Sequence, residues 1–315
     1  MLERQLAALA PAWPAPALRT AGGFGWLRNR LSGAWPSAEQ VRCLFPGLER
    51  GAAARVAWRI GGMEGRNRLL VELIRRDGLS TVRPLVRTPA MLAALRPPLV
   101  LCTFHVGAMQ GLGPALERLP APVLALREGL LGTARPPLEI VSTHGNDERR
   151  AAAFHRCLDR LQRGGFAAMA IDLTAGPGPA APCLGRWLTL ARGPFALARL
   201  AGAPLVPIVA RWRSGEIEIV LGEPLAAEPS AAAGGAGAMA QENALAVAAA
   251  SWLERYLVAS PGELGLGPAV SPNERRSLRS PRRRSCLPQR RPQRGCRPVS
   301  GGDRTPADPP PWRPR

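Results

Sequence analysis

The sequence predicts an α/β fold in which a mixed, mainly parallel sheet is flanked by helices. From Leu99 onward, short apolar runs alternate with stretches of helical periodicity, the pattern expected when strands and helices follow one another along a chain. The 315 residues are 46% hydrophobic and 21% charged, so the chain can bury a full core without disulfides or metals. We expect a helical segment before this sheet and a disordered tail after it.

The N-terminal segment, residues 1–95, is predicted to be helical and to pack on the core. Residues 48–77 carry apolar side chains at helical spacing between arginines, which predicts one long amphipathic helix with a basic face. That face is either an ordinary solvated surface or a surface that lies on anionic lipid headgroups. Three prolines interrupt the first apolar stretch, so neither a signal peptide nor a membrane-spanning helix is expected there.

The central part, residues 96–265, is predicted to form the sheet and its helices. Strands are expected at 99–104, 122–126, 139–142, 166–171, 204–210 and 216–221, and helices at 147–162, 193–200 and 242–258. The segment 226–240 is rich in Ala and Gly and is predicted to be a loose loop.

The tail, residues 266–315, is predicted to be disordered. Positions 271–315 hold ten prolines and 13 arginines but only three carboxylates, which leaves almost nothing to bury. This stretch contributes +10 to the formal net charge of +19, so a basic nucleic-acid binder driven by the tail is one interpretation. Trp312 is the only aromatic residue there that could stack on a base, and nucleic acid is therefore not the partner we expect.

The cysteines indicate the compartment. The six cysteines form no Cys-x-x-Cys pair, and three of them have apolar neighbours, as small buried side chains do. Because such thiols suit a reducing environment, we expect a cytoplasmic protein.

His105 is the histidine with the clearest chemical potential. It directly follows the apolar run 99–104 and precedes Gly107, which places it at the carboxyl end of a predicted strand. Open α/β sheets bind their ligands at that edge. Taken alone, His105 is either a catalytic imidazole or a hydrogen-bonded loop residue.

The segment around His105 resembles a known motif. Residues 101–110, LCTFHVGAMQ, are similar to the opening His-x4-Asp/Glu motif of the lysophospholipid acyltransferase superfamily, except that Gln110 stands where the carboxylate is expected. The resemblance extends over most of residues 38–222, in the style of the bacterial lipid A lauroyl/myristoyl acyltransferase branch. The segment 43–50, CLFPGLER, is similar to that branch's Phe-Pro segment before a helix.

Later blocks carry the same resemblance. Arg127 is placed like the arginine of the family's second block, and residues 161–172, LQRGGFAAMAID, are similar to its helix, Gly-Gly turn and strand ending in an aspartate, here Asp172. The run continues through Arg186 and Arg192 to the end of the third block. This resemblance implies a glycerolphosphate acyltransferase-like fold.

The resemblance also implies a reaction. A fatty acyl group would move from an acyl-carrier protein or CoA thioester to a hydroxyl of a lipid or lipid-like acceptor, with His105 as general base oriented by Gln110. Arg127, Arg186 and Arg192 would bind phosphate groups, which guanidinium ions do well. No metal or bound cofactor is implied, and the enzyme would work peripherally on the inner face of the cell membrane, against an anionic surface.

Two residues leave alternatives open. Asp172 is grouped with the substrate-binding candidates, but it could instead supply the charge missing at position 110, or cap a loop. Gln110 can hold the orientation of a ring but gives no negative charge to an imidazolium. A catalytically impaired relative that acts as a lipid- or partner-binding module is therefore the alternative to an enzyme.

Overall fold

A seven-stranded sheet organises the fold in the computed structural model, which describes residues 14–31, 37–127, 134–143, 145–172, 178–226 and 235–264. The strands are β1 (Val86–Arg87), β2 (Leu99–Thr103), β3 (Val123–Arg127), β4 (Leu138–Ser142), β5 (Phe166–Ala170), β6 (Ala180–Cys183), β7 (Arg186–Thr189), β8 (Leu205–Arg213) and β9 (Glu216–Leu221). β6 and β7 pair with each other in a separate antiparallel hairpin.

The strand order is β1-β9-β8-β2-β5-β3-β4. Only the β8–β9 pair is antiparallel among the described pairs of this sheet, so the predicted mixed, mainly parallel sheet is confirmed. Every residue of β2 is buried, and β5 is buried up to its last residue. Strands that are apolar on both faces belong in the middle of a sheet that helices cover on both sides.

The described helices are α1 (Pro14–Leu31), α2 (Ala38–Leu44), α3 (Arg50–Asp77), α4 (Ala90–Ala93), α5 (Leu112–Leu116), α6 (Asp147–Gln162), α7 (Arg192–Ala201) and α8 (Gly235–Ala259). α6 packs against β3 and β5, α7 against β2 and β8, and α8 against β8 and the β6–β7 hairpin. The prediction that helices flank the sheet is therefore confirmed.

The N-terminal helices pack on one another before the sheet begins. The long helix predicted at 48–77 is present as α3, and α1 lies against it. A Cβ atom added at Gly65 would come within 2.0 Å of the Ala21 carbonyl oxygen, so the two backbones approach as closely as glycine allows. Within the described residues, no helix has the length and apolar character needed to span a membrane.

Three details of the fold differ from expectation or lie beyond it. The prediction of a loop at 226–240 is wrong from Gly235 onward, where the structure has the first turns of α8. The alanines of this stretch favour helix. The β6–β7 hairpin was not predicted, since its strands have four residues each and β6 contains Pro182. The predicted tail, 266–315, lies outside the described residues.

Candidate active site

The candidate site lies where two neighbouring strands end side by side. β2 and β5 are parallel and in register, with Thr103 opposite Ala170. The Ile171 N–H donates to the Thr103 carbonyl at 2.9 Å, which continues the pairing beyond the strands. His105 and Asp172 each follow two residues after these last paired positions, so the sheet brings them together.

Asp172 holds His105 with both carboxylate oxygens. Oδ2 accepts the backbone N–H of His105 at 2.7 Å, and Oδ1 lies 2.7 Å from the ring atom Nδ1. The Asp172 side chain is 4% exposed and the His105 side chain is 25% exposed. The carboxylate is thus fixed at the Nδ1 edge of the ring, while part of the imidazole stays exposed.

This pairing decides which ring nitrogen is free. An ionised carboxylate only accepts hydrogen bonds, so it selects the neutral tautomer with its proton on Nδ1. The lone pair of Nε2 is then available to take a proton from a substrate. When the ring becomes an imidazolium, the charge on Asp172 stabilises it.

The structure corrects the expected role of Gln110. This residue lies in the 3₁₀ turn Met109–Gly111, and its Oε1 is buried without a hydrogen-bond partner among the described residues. The expectation that Gln110 orients the ring of His105 is wrong, because the carboxylate of Asp172 occupies Nδ1. Two of the alternatives for Asp172 fit this geometry, since the same carboxylate places a charge at the ring and caps the backbone N–H of His105.

Two of the predicted arginines are placed by their strands. Arg127 ends β3 opposite Ser142, and its side chain lies outside the described parts of the structure. Arg186 begins β7 as a half-buried residue, and no ion pair of its guanidinium is found within the described segments. Binding of phosphate by either residue stays a prediction.

Arg192 is paired within the protein. It begins α7 next to the end of β5, since the Ala191 N–H donates to the Ile171 carbonyl at 2.6 Å. Its Nε lies 2.5 Å from Oε2 of Glu242 on α8, and Nε of Arg199 lies 3.1 Å from the other oxygen of the same carboxylate. This hydrogen bond raises the pKa of Arg192. The Glu242 side chain is 3% exposed, so the trio ties α7 to α8, and phosphate binding by Arg192 remains a prediction.

The turn after His105 is tightly held. Gly107 has φ +61°, and a Cβ atom there would lie 2.0 Å from the Ala210 carbonyl oxygen. The Gly107 N–H donates to the Glu263 carbonyl at 2.8 Å, and the Ala108 N–H donates to the Ala210 carbonyl at 2.6 Å. Both amides of the turn are therefore used by the protein itself.

A half-buried polar cluster lies next to this turn. Burial raises the pKa of the Glu263 side chain to about 7, although a backbone hydrogen bond from Trp212 and the charge on Arg66 oppose the shift. Burial also lowers the pKa of Arg66, whose guanidinium lies 5.2 Å from the centre of the Trp212 ring. Sequence reasoning missed this cluster because its members lie on α3, on β8 and after α8, with no spacing that links them.

Comparison with known proteins does not identify a family for this chain. No family model matches the sequence. Among curated proteins there is no match either. A solved structure with similarity is the 1-acyl-sn-glycerophosphate (LPA) acyltransferase PlsC from Thermotoga maritima, which covers 82% of this chain and 97% of that chain at 10% identity and a TM-score of 0.34. A likeness at that TM-score and identity supports no conclusion about the function of this chain.

Proposed function

We propose that this protein is an O-acyltransferase that moves a fatty acyl group from an acyl-carrier protein or CoA thioester to a hydroxyl of a lipid or lipid-like acceptor. One observation carries the proposal: the partly exposed imidazole of His105 is bonded through Nδ1 to the buried carboxylate of Asp172. This arrangement suits general-base catalysis of acyl transfer, because the carboxylate orients the imidazole and stabilises its protonated form. The resemblance of the surrounding segments to lysophospholipid acyltransferases supplies the class of substrates.

The proposed reaction uses the free nitrogen of His105. Nε2 takes the hydroxyl proton of the acceptor as its oxygen attacks the thioester carbonyl, and a tetrahedral intermediate forms. When the carbon–sulfur bond breaks, the imidazolium returns the proton to the departing thiolate, so an ester and a free thiol result. Asp172 stabilises the imidazolium between these two steps. The reaction needs no bound metal or cofactor.

Negative charge on the substrates, at the oxyanion of the intermediate and at phosphate groups, has to be stabilised by groups other than His105 and Asp172. The Gly107 and Ala108 amides are already bonded within the protein, so neither is available to bind the oxyanion of the intermediate. Among the arginines suggested for phosphate binding, Arg186 fits best, because the charge of Arg192 is already countered by Glu242. Arg127 remains a second candidate on the basis of the resemblance.

The test is a turnover assay on the full chain. Acyl-CoA and acyl-carrier protein thioesters are offered with lysophospholipid and lipid A-type acceptors, and products are identified by mass spectrometry. We expect His105→Ala to lower turnover by about 10² to 10⁴-fold, the usual worth of a positioned general base. His155→Ala is the matched control, because His155 is an exposed residue of α6 and its removal should leave turnover unchanged. Unchanged turnover in His105→Ala would contradict the mechanism.

The impaired-module alternative predicts a different result in the same assay. It is favoured by Gln110, the neutral side chain at the position where the resemblance expects a carboxylate. It predicts that the wild-type chain binds acyl lipids but forms no ester with any donor. The buried carboxylate of Asp172 at Nδ1 weighs against it, because the imidazole already has the negative charge that Gln110 does not supply.

We also propose that the protein works as a peripheral protein on the cytoplasmic face of the membrane. Trp58 on α3 is 53% exposed, and the exposed Arg55 and Arg59 lie within one helical turn of it. An aromatic side chain flanked by arginines is typical of helices that rest on anionic lipid.

Vesicle sedimentation tests this location. We expect the full chain to bind phosphatidylglycerol vesicles more strongly than phosphatidylcholine vesicles, and we expect added salt to weaken that binding. Trp58→Ala should reduce it severalfold, whereas Trp187→Ala, which removes a 62% exposed tryptophan on β7, should not. Equal binding by Trp58→Ala and the wild type would count against α3 as the contact surface.

A further inference from the structure

The turn that follows His105 is anchored by three segments that lie far apart in the sequence. Its two amides donate to backbone carbonyls, Gly107 to that of Glu263 and Ala108 to that of Ala210. Its carbonyl at Gly107 accepts a hydrogen bond from Nδ2 of Asn67 at 2.7 Å. Asn67 lies on α3, 40 residues before the turn.

Asn67 differs from the other two anchors in kind. A backbone carbonyl is present whatever the side chain, but the donor to Gly107 exists only because residue 67 carries a primary amide. The Asp172 side chain holds the backbone N–H of His105 itself, and among the side-chain hydrogen bonds of the described residues it is Asn67 that binds the backbone of the turn after it, residues 106–108. The identity of residue 67 therefore matters to the turn in a way that the identities of residues 210 and 263 do not.

The orientation of the Asn67 amide is itself fixed. Nε1 of Trp212 donates to Oδ1 of Asn67 at 3.0 Å. An indole N–H is a donor only, so it has to face the amide oxygen, and the amide NH₂ has to face the Gly107 carbonyl. Trp212 is buried and the Arg66 guanidinium lies over its ring, which keeps the indole in place.

We infer that Asn67 is a positioning residue for His105. The ring of His105 is bonded on one side by Asp172, and the backbone that carries it continues within two residues into the carbonyl that Asn67 binds. The amide of Asn67 thus fixes the exit of the chain from His105 and keeps Nδ1 on the carboxylate. This inference rests on the proposed function for its catalytic meaning, and it makes α3 a part of the active site.

The expected effect follows from the short distances in the His105–Asp172 pair. A displacement of about 1 Å at a reacting group can cost about 10²-fold in rate. Loss of the Asn67 donor leaves the Gly107 carbonyl without its partner and lets the turn move relative to β5. Such a change lowers kcat, because the base is misplaced, and leaves KM for the acyl donor nearly unchanged.

The first experiment reads the ring directly, without activity. Chains with ¹⁵N-labelled histidine are compared by NMR, and the His105 signals are assigned by their loss in His105→Ala. We expect the wild-type ring to be the Nδ1–H tautomer, and we expect Asn67→Asp and Asn67→Ala to show a substantial share of the Nε2–H tautomer, as Asp172→Asn does. The aspartate variant keeps the shape and the acceptor for Trp212 but removes the donor to Gly107.

Two further variants serve as controls. Asn146→Asp makes the same chemical change at the N-cap of α6, where aspartate caps as well as asparagine, and it should leave tautomer and kcat unchanged. Trp212→Phe keeps Asn67 but frees its amide to rotate, so it should shift the tautomer in part. That variant decides the question if the Asn67 variants fail to fold.

The outcomes are distinct. A shifted tautomer with about tenfold or greater loss of kcat and an unchanged KM supports the inference. A wild-type tautomer in Asn67→Asp, Asn67→Ala and Trp212→Phe overturns it, whatever their activity. Absence of turnover in the wild-type chain would instead refute the proposed function, and the tautomer would still report whether Asn67 positions the ring.

Discussion

Asp172→Asn is expected to lower kcat by about 10² to 10⁴-fold, as large a loss as removal of the imidazole itself. The asparagine keeps the shape of the side chain but carries no charge to stabilise an imidazolium. Its NH₂ group can also donate to Nδ1, which would place the ring proton on Nε2 and remove the base. The measurement is steady-state turnover in the assay described for His105→Ala, with both thioester donors.

Two comparisons sharpen this expectation. Asp159→Asn removes an exposed carboxylate from α6 and should leave turnover as it is. Gln110→Glu should bring no large gain, because the imidazole already has a carboxylate on Nδ1. A large gain would instead indicate a decayed site that needs its acid restored. Turnover of Asp172→Asn within a few-fold of wild type would show that the carboxylate has no part in catalysis.

Gly107→Ala is expected to lower the free energy of unfolding by about 2 to 4 kcal/mol. The positive φ of +61° costs a residue with a side chain about 1 kcal/mol, and overpacking typically adds about 1 to 3 kcal/mol. The overpacking is specific, because the new methyl group would lie 2.0 Å from the Ala210 carbonyl oxygen. Denaturant unfolding followed by circular dichroism measures the difference.

The chain offers a matched control for this substitution. Gly202 ends α7 with φ +60°, and no atom lies within 4 Å of a Cβ added there. Gly202→Ala therefore carries the backbone cost without the clash and should lose only about 1 kcal/mol. Equal losses in the two variants would show that the turn after His105 can move aside. Turnover should fall in Gly107→Ala alone.

Much of the fold could be predicted because its strands carry a local signal. The apolar runs that became β2 and β5 can be recognised from composition, and so can the placement of His105 and Asp172 just beyond them. The order of strands in the sheet carries no such signal. β2 and β5 are neighbours in the sheet although His105 and Asp172, which follow them, are 67 residues apart in the sequence. This pairing depends on the packing of the whole chain.

The expectation for Gln110 failed for a related reason. It took the partner of the ring from the residues directly after His105, as the resemblance implied. The turn is instead held by hydrogen bonds from α3, from β8 and from the segment after α8. It leads into a 3₁₀ turn in which Oε1 of Gln110 is buried without a hydrogen-bond partner among the described residues. None of those contacts can be inferred from spacing near residue 105.

The pairing of Arg192 illustrates a further limit. In a chain with 42 basic residues, all of them arginine, a single guanidinium gives no sign of whether it binds a substrate or a buried carboxylate. Its partner Glu242 lies 50 residues away on another helix. Long-range charge pairs of this kind are invisible to local patterns, whereas helix ends such as the Asn146 N-cap are not.

The carboxylate that binds Nδ1 of His105 belongs to Asp172, which follows the neighbouring strand β5. It does not lie among the five residues after the histidine. Any scan that demands both partners within one short linear pattern will pass over chains built in this way. Chains with this arrangement are better sought by pairing a histidine that follows one apolar strand with an aspartate that follows another, each at the same distance from the last paired residue of its strand. In such chains the residue five positions after the histidine does not have to be acidic for the ring to have a carboxylate at Nδ1.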